Sequence, residues 1–316
     1  MTLPVVVINP ASANGATGDA WPKIASDLAS NFGPFQPVFT TRPAQATEFA
    51  AEAAQKGTKL IIACGGDGTI SEVANGILNS GMDAELGILP SGTGGDFRKT
   101  LEIPTRARDA AKILKEGRTR VIDVGRVTYA VNGGEQETRY FLGVASFGIS
   151  ADVIARVKTE KPEWIPATAP RWLSGRLSFG TAMLKSAAKM KPTRVIVQLD
   201  DNEAQRTTIT NLCIANARYF GGGMKIAPDA KLTDGKFDVV SIGDMGLSRI
   251  VSNSPRLYLG AHLGMREVRH MLAAKVAASP INNEQRIGLE LDGELPGFLP
   301  ATFQIVPLAL RVRCPR

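Results

Sequence analysis

The sequence is poor in the side chains that build disulfide frameworks and zinc sites. It contains three cysteines, Cys64, Cys213 and Cys314, which are widely spaced and form no CxxC pair. An odd number at such spacings argues against both kinds of site. The two histidines, His262 and His270, exclude a histidine-rich metal site and give little support to a histidine-dependent triad, and we interpret both as positions on one helix. Any bound metal is therefore expected to be a hard cation held by oxygen atoms.

Long apolar runs and aromatic residues are also scarce. No apolar run approaches the ~20 residues that a membrane-spanning helix needs. The first residues, MTLPVVVINP, lack a basic start, and their apolar run is too short for a signal peptide. The protein is therefore expected to be cytoplasmic. Aromatic residues make up 6% of the chain and no nucleic-acid-binding motif is present, which argues against nucleic acid as a partner.

What the sequence does contain is a regular alternation of strand and helix patterns in its first third. Apolar runs such as KLIIAC and AELGILP alternate with helical spacing, which predicts a parallel sheet with helices on both faces. From about residue 119 the chain contains β-rich stretches that are separated by turn signals, which predicts an antiparallel sandwich. Two helical insertions are expected to interrupt it, near 151–190 and 247–265. We predict an α/β protein with an N-terminal α/β domain over residues 1–127, to which 307–316 can return, and a C-terminal antiparallel β-sandwich domain over 128–306.

Glycines cluster where one of the predicted strands ends. The stretch CGGDGTISE places Gly65, Gly66, Asp67 and Gly68 after the strand that ends at Cys64, at the edge where open α/β sheets bind ligands. Glycines let the backbone approach an anion closely. Thr69 and Glu72 fit a T-x-x-E capping box, which would aim the N-terminus of a helix at that ligand. The pattern predicts a phosphate site, and the alternative is a tight, well-capped turn.

The next strand ends in the same chemistry. AELGILP leads into PSGTGGDF, which supplies Thr93, Asp96 and three more glycines. Two adjacent strand ends of this kind predict a glycine-lined trough with two carboxylates and two hydroxyls. Neither stretch fits the Walker A or the G-x-G-x-x-G pattern.

Four stretches together resemble the catalytic-domain family of diacylglycerol kinases, especially the soluble bacterial lipid kinases. They are GGDGTISEVANGI, PSGTGGDF, NARYFGGGMKIAPDAKLTDGKFDVV (216–240) and LDGE (291–294), in the order of that family. The resemblance implies a nucleotide-binding α/β domain, a β-sandwich domain for the lipid substrate, ATP bound in the cleft between them, and Mg²⁺. One departure concerns Gly95, since the family often has Asn before the aspartate that matches Asp96.

The reaction that the resemblance implies assigns roles to the trough. Phosphoryl transfer requires the nucleotide phosphates to be held and their charge neutralised. Asp67 is the best candidate for holding Mg²⁺ or its waters, with Asp96 next, because Mg²⁺ favours one or two carboxylates with waters and phosphates. Thr69 and Thr93 can donate to phosphate oxygens. The candidate ATP-binding residues, with Thr40 and Ser71 included by resemblance, are Thr40, Gly65, Gly66, Asp67, Gly68, Thr69, Ser71 and Thr93.

The base that accepts the proton of the lipid hydroxyl is expected to be a carboxylate, because no histidine is well placed. Asp292-Gly293 within ELDGEL predicts a type I′ hairpin turn. By resemblance, Glu294 matches the general base, with its side chain free to reach a lipid hydroxyl. The alternative is that the motif is only a hairpin.

A second metal site is implied by the resemblance at Asp234. The family carries a structural Mg²⁺ at the matching aspartate, and Lys231 and Lys236 occupy the positions that supply backbone carbonyls. The alternative is a plain Asp-Gly turn.

The excess of basic residues fits an anionic partner. Lys and Arg number 37 against 30 Asp and Glu, a formal charge of +7, which suits a nucleotide, a phospholipid surface or nucleic acid, or a solvated basic surface. Residues 156–194 hold nine basic and two acidic side chains with Trp164 and Trp172. One interpretation is that this segment docks peripherally on an anionic membrane. The other is that its helix packs on the sandwich while its lysines are solvated.

The sequence therefore predicts an ATP- and Mg²⁺-dependent lipid kinase that acts on a diacylglycerol-like acceptor at the inner membrane face. A NAD kinase shares GGDGT, but Asn283-Glu284 lies in a late turn, the wrong context for the Asn-Glu pair that binds the dinucleotide ribose. A non-catalytic lipid- or nucleotide-binding module is the third reading, although every candidate carboxylate is present.

Overall fold

The computed structural model describes residues 2–91, 95–159, 181–182, 185–186, 192–282 and 284–316. The chain forms two compact units, an N-terminal unit of Met1–Val124 with Pro307–Arg316, and a C-terminal unit of Gly125–Val306. Across the described residues, no helix combines the length and the apolar character that spanning a membrane would require.

The N-terminal unit alternates strands and helices. Its elements are β1 (Val5–Ile8), α1 (Ala16–Asn31), β2 (Gln36–Phe39), α2 (Gln45–Gln55), β3 (Leu60–Gly65), α3 (Asp67–Ser80), β4 (Glu85–Pro90), α4 (Asp96–Thr100) and α5 (Ala107–Glu116). The four strands are parallel and lie in the order β2-β1-β3-β4. The predicted parallel sheet is confirmed.

The apolar strands of this sheet are buried along their whole length. Every residue of β1 and β3 is buried, as expected for parallel strands covered by helices on both faces. Two of those helices, α2 and α3, pack closely because Gly76 has no side chain. A Cβ at Gly76 would lie 2.3 Å from the Thr47 carbonyl oxygen and 2.7 Å from the Ala50 Cβ.

The C-terminal unit is largely antiparallel. Its elements are β5 (Arg118–Ala130), which begins in the N-terminal unit, β6 (Gln136–Phe141), β7 (Val144–Gly148), α6 (Ile149–Thr159), β8 (Thr193–Leu199), β9 (Gln205–Ile209), β10 (Asn211–Ala215), β11 (Phe237–Ile242), α7 (Leu247–Leu259), a 3₁₀ turn (Ala261–Gly264), β12 (Val268–Ala273), β13 (Lys275–Pro280), β14 (Gly288–Leu291) and β15 (Glu294–Cys314). The strands pair in the orders β12-β11-β10-β7-β14-β15 and β9-β8-β13-β15. The predicted antiparallel sandwich is confirmed.

Aromatic rings fill the core of this unit. Phe141 stacks on Phe237 with 5.6 Å between ring centroids and meets Phe303 edge-on at 6.4 Å. All three rings are fully buried. Such aromatic pairs contribute about 0.5–1.5 kcal/mol beyond the burial of their area.

The placement of the two histidines on one helix is wrong. His262 lies in the 3₁₀ turn and His270 lies in β12. The strands β12 and β13 escape sequence reasoning because MLAAKVAA is rich in residues that favour helices, and β12 shows no strict alternation of buried and exposed positions.

The structure describes part of the predicted helical insertions. The helix α6 covers the start of the first, and α7 with the 3₁₀ turn covers the second. Most of the basic segment 156–194, including Trp164 and Trp172, lies outside the described residues.

One strand belongs to both units. The final part of β15 returns to the N-terminal sheet, where Arg311 and Val312 pair in parallel with Glu85 and Leu86 of β4. Arg313 reinforces this pairing with an ion pair to Glu85 at 2.6 Å.

Candidate functional site

The four parallel strands of the N-terminal unit end at the same level. Ile8 pairs with both Phe39 and Cys64, and Cys64 pairs with Leu89. The chain runs from β1 to β2 on one side and adds β3 on the other side of β1. Such a switch point is where open α/β sheets bind ligands, beyond the carboxyl ends of the strands.

The turn after β3 leaves open space above one peptide. In the part of the chain that the structure describes, a Cβ at Gly66 would meet no atom within 4 Å beyond its chain neighbours, whereas a Cβ at Gly65 would lie 2.4 Å from the Thr69 hydroxyl oxygen. Gly65 is therefore required for packing, and Gly66 leaves its backbone open to a ligand. The helix α3 begins at Asp67 directly behind this peptide, so its N-terminal N–H groups favour an anion at this place.

The predicted capping box at Thr69 is wrong. The N-cap is Gly66, and no side chain caps α3. The carboxylate of Glu72 instead accepts the N–H groups of Ala44 and Ala46 at 3.2 and 3.1 Å, at the start of α2. The acidic side chain thus caps a neighbouring helix and joins α2 to α3.

Asp67 organises the loop that follows β4. Its carboxylate accepts backbone N–H groups of Gly95, Asp96 and Phe97 at 2.9, 2.9 and 3.1 Å and so caps α4. Burial raises the pKa of Asp67, the charge of Asp96 raises it further, and the three backbone hydrogen bonds oppose both effects. Asp67 therefore holds two glycine turns together, a role that the sequence pattern did not reveal.

Asp96 and its neighbours form a compact group of charges. The Asp96 carboxylate is buried and pairs with Lys99 at 2.8 Å. Burial lowers the pKa of Arg98, while the charges of Asp67 and Asp96 raise it. Two carboxylates and two cations thus lie around the start of α4.

The glycine at position 95 fits its surroundings. Gly95 has a φ of 71°, in the left-handed region that glycine and asparagine adopt most readily. A Cβ there would lie 2.6 Å from the Arg98 Nε. Arg98 therefore fills the space that the Asn side chain expected from the family would need. Thr93 lies outside the described residues.

Hydroxyl groups connect the loops after β1, β3 and β4. Asn9 donates to the Thr69 hydroxyl at 3.2 Å, and Ser91 donates to the buried Thr17 hydroxyl at 2.7 Å. Ser12 also bonds to Thr17, at 2.5 Å. This network was not predicted from the sequence. The available signal was the Asn-Pro pair directly after β1 and the small polar residues that follow it.

The structure places the remaining N-terminal candidates along the same edge. Thr40 follows β2 and is buried, with its N–H bonded to the Ile8 carbonyl at 2.9 Å. Gly68, Thr69 and Ser71 lie in the first turns of α3, where the side chains of Thr69 and Ser71 are buried.

The predicted Asp292-Gly293 hairpin turn is confirmed in the C-terminal unit. Both residues have positive φ, 47° and 88°, between β14 and β15. The Asp292 carboxylate accepts backbone N–H groups of Leu142, Gly143 and Val144 at 2.9, 2.8 and 3.2 Å. Asp292 therefore fixes the turn against the start of β7 and determines where Glu294 emerges.

Glu294 is ion-paired, whereas the sequence suggested a free side chain. Its Oε2 lies 2.7 Å from Arg139 Nη1, and its side chain is 33% exposed. The nearby Tyr129 has its pKa raised to about 12, mainly by burial and by its hydrogen bond to Glu137, with a smaller contribution from Glu294. The carboxylate thus has both a defined partner and access to solvent.

A buried polar group supports the same turn. The Glu290 carboxylate accepts the Gly293 N–H at 2.7 Å and the hydroxyl of the fully buried Ser146. Sequence reasoning also missed this pair, whose only signal was the near-symmetric ELDGEL around the turn.

Asp234 lies in an Asp-Gly turn. Its Oδ1 accepts the Lys236 N–H at 3.2 Å, and Gly235 has a φ of 70°. Burial raises the pKa of Asp238, and the charges of Asp234 and Asp229 raise it further, while His270 at 2.7 Å lowers it. Within the described parts of the chain, no group of three or more His, Cys, Asp or Glu side chains could hold a metal ion.

Comparisons with known proteins agree over both units. The family described as "Diacylglycerol kinase catalytic domain" matches residues 4–127, and the family described as "YegS C-terminal NAD kinase beta sandwich-like domain" matches residues 143–314. The second match alone covers more than half of the chain.

Curated relatives extend over most of the sequence. A diacylglycerol kinase of Mycobacterium tuberculosis is 32% identical over 272 residues, 86% of this chain and 82% of the relative. A diacylglycerol kinase of Bacillus subtilis is 31% identical over 269 residues, 84% of this chain and 80% of the relative.

A solved structure shares the fold. A crystal structure described as a diacylglycerol kinase from Bacillus anthracis has a TM-score of 0.70 at 20% identity and covers 99% of this chain and 96% of its own. With the matches to both family descriptions and the identity to curated relatives, the chain belongs to the diacylglycerol kinase family of lipid kinases.

Proposed function

We propose that this chain is a lipid kinase that transfers the γ-phosphate of ATP to the hydroxyl of a diacylglycerol-like lipid, with Mg²⁺ as cofactor. The observation that carries the proposal is the open peptide of Gly66 at the N-terminus of α3, where no atom of the described residues, apart from its chain neighbours, lies within 4 Å of the Cβ position. Backbone N–H groups and helix dipole there suit a phosphate. Curated relatives that carry the name diacylglycerol kinase support the acceptor class.

The residues around this peptide can serve the nucleotide. Thr40, Gly65, Gly66, Gly68, Thr69, Ser71 and Thr93 are the proposed ATP-binding residues, with Asp67. Asp67 holds the two glycine turns at a fixed separation through its three backbone hydrogen bonds. Fixed donors contribute most to phosphoryl transfer because they need no reorganisation during the reaction.

The chemistry of the two carboxylates suits Mg²⁺. Asp67 and Asp96 repel each other enough for Asp96 to raise the pKa of Asp67, and a divalent cation would relieve that repulsion. Mg²⁺ commonly uses one or two carboxylates with waters and phosphate oxygens. Asp67 and Asp96 would hold it, and the ion would neutralise phosphate charge when bound. A second, structural Mg²⁺ is proposed at Asp234 with the carbonyls of Lys231 and Lys236.

Glu294 is the proposed general base. Its carboxylate is partly exposed and directed by the Arg139 ion pair, and the Asp292 and Glu290 hydrogen bonds fix the turn before it. An ordered carboxylate of this kind can accept the proton of a lipid hydroxyl. We further propose that residues 1–127 bind the nucleotide and that residues 128–306 bind the lipid.

A γ-labelled ATP transfer assay tests the proposal. The acceptors are diacylglycerol, monoacylglycerol, phosphatidylglycerol and a sphingoid base, with NAD included because of the NAD kinase-like description of the C-terminal match. Label transferred to diacylglycerol and lost on removal of Mg²⁺ is the expected result. Transfer to NAD and to no lipid would replace the proposal by the NAD kinase alternative, and binding of ATP without any transfer would favour a non-catalytic module.

A further inference from the structure

Among the described residues, the helix α7 packs one of its faces onto the C-terminal unit. Ile250 is buried and Leu257 is partly buried in a cluster with Met245, Met265 and Val268. At its end, the Lys225 N–H donates to the Leu257 carbonyl at 2.7 Å. The helix is therefore anchored through this face.

The opposite face of α7 is apolar and open. Val251 is 44% exposed, Tyr258 is 41% exposed and Leu259 is 76% exposed, and Pro255 is exposed between them. These four residues stand at positions i, i+4, i+7 and i+8, which form one side of an α-helix. A contiguous exposed apolar face of this kind is typical of an interaction site, unlike single exposed side chains.

The charged side chains of α7 itself are basic, and the nearest acids along the chain are Asp244 and Glu267. From residue 245 to 266 the sequence contains Arg249, Arg256 and Arg266 and no Asp or Glu. All three arginines are exposed. Arg249 pairs with Glu267 at 2.5 Å, whereas no ion pair joins Arg256 to the residues that the structure describes. Arg249 and Arg256 lie seven residues apart and so flank the apolar face along one edge of the helix.

We propose that the open face of α7, formed by Val251, Pro255, Tyr258 and Leu259, docks on the surface of an anionic lipid bilayer. The apolar side chains enter the boundary between headgroups and acyl chains, Tyr258 stays at headgroup level, and Arg256 contacts lipid phosphate. A helix with an apolar face and a basic edge lies in the plane of a membrane in this way. Basic residues gain from the negative potential of such a surface.

A second copy of the chain is a poorer occupant. A stable protein interface buries about 800 Å² on each partner, and three large, partly exposed side chains with one proline do not supply that area. Two copies of this face would also bring their arginines together with no acid on the helix to pair with them.

The inference rests on the proposed function for its purpose, because a kinase that acts on a diacylglycerol-like lipid must reach that lipid in a bilayer. The measurement that tests the inference does not depend on the proposed function. Vesicle binding is measured without nucleotide, and phosphoryl transfer is measured separately with a water-soluble, short-chain diacylglycerol. Vesicle binding through α7 without transfer to any lipid would remove the proposed function alone.

A labelled cysteine locates the docking face. The three native cysteines are all buried, so Leu259→Cys provides an accessible thiol for a polarity-sensitive fluorophore. Phosphatidylglycerol vesicles are expected to shift its emission to the blue, and phosphatidylcholine vesicles much less. Met82→Cys is the matched control, since Met82 is 49% exposed in the N-terminal unit. An unchanged spectrum at position 259 would overturn the inference.

Charge substitutions test the same face without a label. The double variant Val251→Glu/Leu259→Glu and the single variant Arg256→Glu should each lower sedimentation with phosphatidylglycerol vesicles by about tenfold or more. Met82→Glu and Arg206→Glu, at exposed positions elsewhere, should bind like wild type. If the double variant does not fold, the single variant Leu259→Ser replaces it in the sedimentation measurement. Wild-type binding by all α7 variants would refute docking, and so would a wild-type dimer that Leu259→Ser converts to a monomer.

Discussion

Arg139 Nη1 lies 2.7 Å from Glu294 Oε2, within the C-terminal unit. Both side chains are partly exposed, with exposed fractions of 25% and 33%. Since Arg139 lies on β6 and Glu294 begins β15, the ion pair fixes the direction of the proposed base without covering it. A neutral isostere at position 294 keeps most of the packing. Such a variant therefore tests the proposed catalytic role of Glu294 separately from any role in folding.

Glu294→Gln should leave the fold and nucleotide binding near normal while kcat falls by roughly 10²–10⁴-fold, the usual contribution of a positioned base. The amide can still bond to Arg139 but cannot accept the proton. Phosphoryl transfer and thermal unfolding are the measurements. Glu137→Gln is the matched control, because Glu137 lies on the same strand as Arg139 and bonds to Tyr129. Wild-type kcat in the Glu294 variant would remove this residue from the mechanism.

Two neighbouring glycines should respond in opposite ways. Gly66→Val should fold, because the described residues leave space around its Cβ position, but should lose nucleotide binding by blocking the peptide. Gly65→Ala should lower the free energy of unfolding by about 1–3 kcal/mol, because its Cβ would collide with Thr69. Calorimetric binding of Mg·ATP and chemical denaturation separate the two. A Gly66→Val protein that binds nucleotide normally would contradict the proposed phosphate site.

Asp67→Ala should reduce stability and activity together. It leaves the N–H groups of Gly95, Asp96 and Phe97 without their acceptor, which should cost about 1–2 kcal/mol of unfolding free energy as the loss of a helix cap. Asp67→Asn is the matched variant, since an amide oxygen still caps but carries no charge. If the charge holds Mg²⁺, Asp67→Asn should retain most of the stability yet bind Mg·ATP weakly. Normal Mg·ATP binding by Asp67→Asn would confine Asp67 to a structural role.

Mg²⁺ should protect the folded protein against heat if Asp234 holds a structural ion. At 100 times the dissociation constant, a ligand specific for the native state adds about 2.7 kcal/mol. Wild type is expected to melt at a higher temperature in millimolar Mg²⁺, and Asp234→Ala is expected to lose that increment. Asp201→Ala, at an exposed turn position, should keep it. Equal melting of wild type with and without Mg²⁺ would leave the plain Asp-Gly turn as the explanation.

The native thiols should be unreactive in the folded protein. Burial raises the pKa of Cys64 to about 12 and that of Cys314 to about 11, and it also raises the pKa of Cys213. Thiolates are the reactive form, so a disulfide reagent at pH 8 should titrate the cysteines only after denaturation. Rapid labelling of the native wild type would show that the chain opens locally at one of these positions.

The sequence allowed the local features to be predicted and obscured those that depend on distant partners. The Asp292-Gly293 hairpin follows from backbone conformations that few residues adopt, whereas the glycines after β3 follow from close packing at Gly65 and open space at Gly66 among the described residues. The role of Glu72 could not be read locally, because its distance from Thr69 fits a capping box while its true partners, Ala44 and Ala46, lie on another helix. In the same way, Asp292 bonds to backbone groups 148–150 residues away, which no short motif encodes.

The return of β15 to the N-terminal sheet has a consequence for biosynthesis. Residues Pro307–Arg316 belong to the unit that begins the chain, and the whole of Gly125–Val306 is translated between its two parts. While the ribosome is still making that intervening stretch, β4 pairs with β3 at Glu85 and Leu86 but lacks β15 on its other edge, and an open strand edge favours association with other chains. The first unit to emerge is therefore the last to be completed, and shortening the chain before Arg311 would leave it in that exposed state permanently.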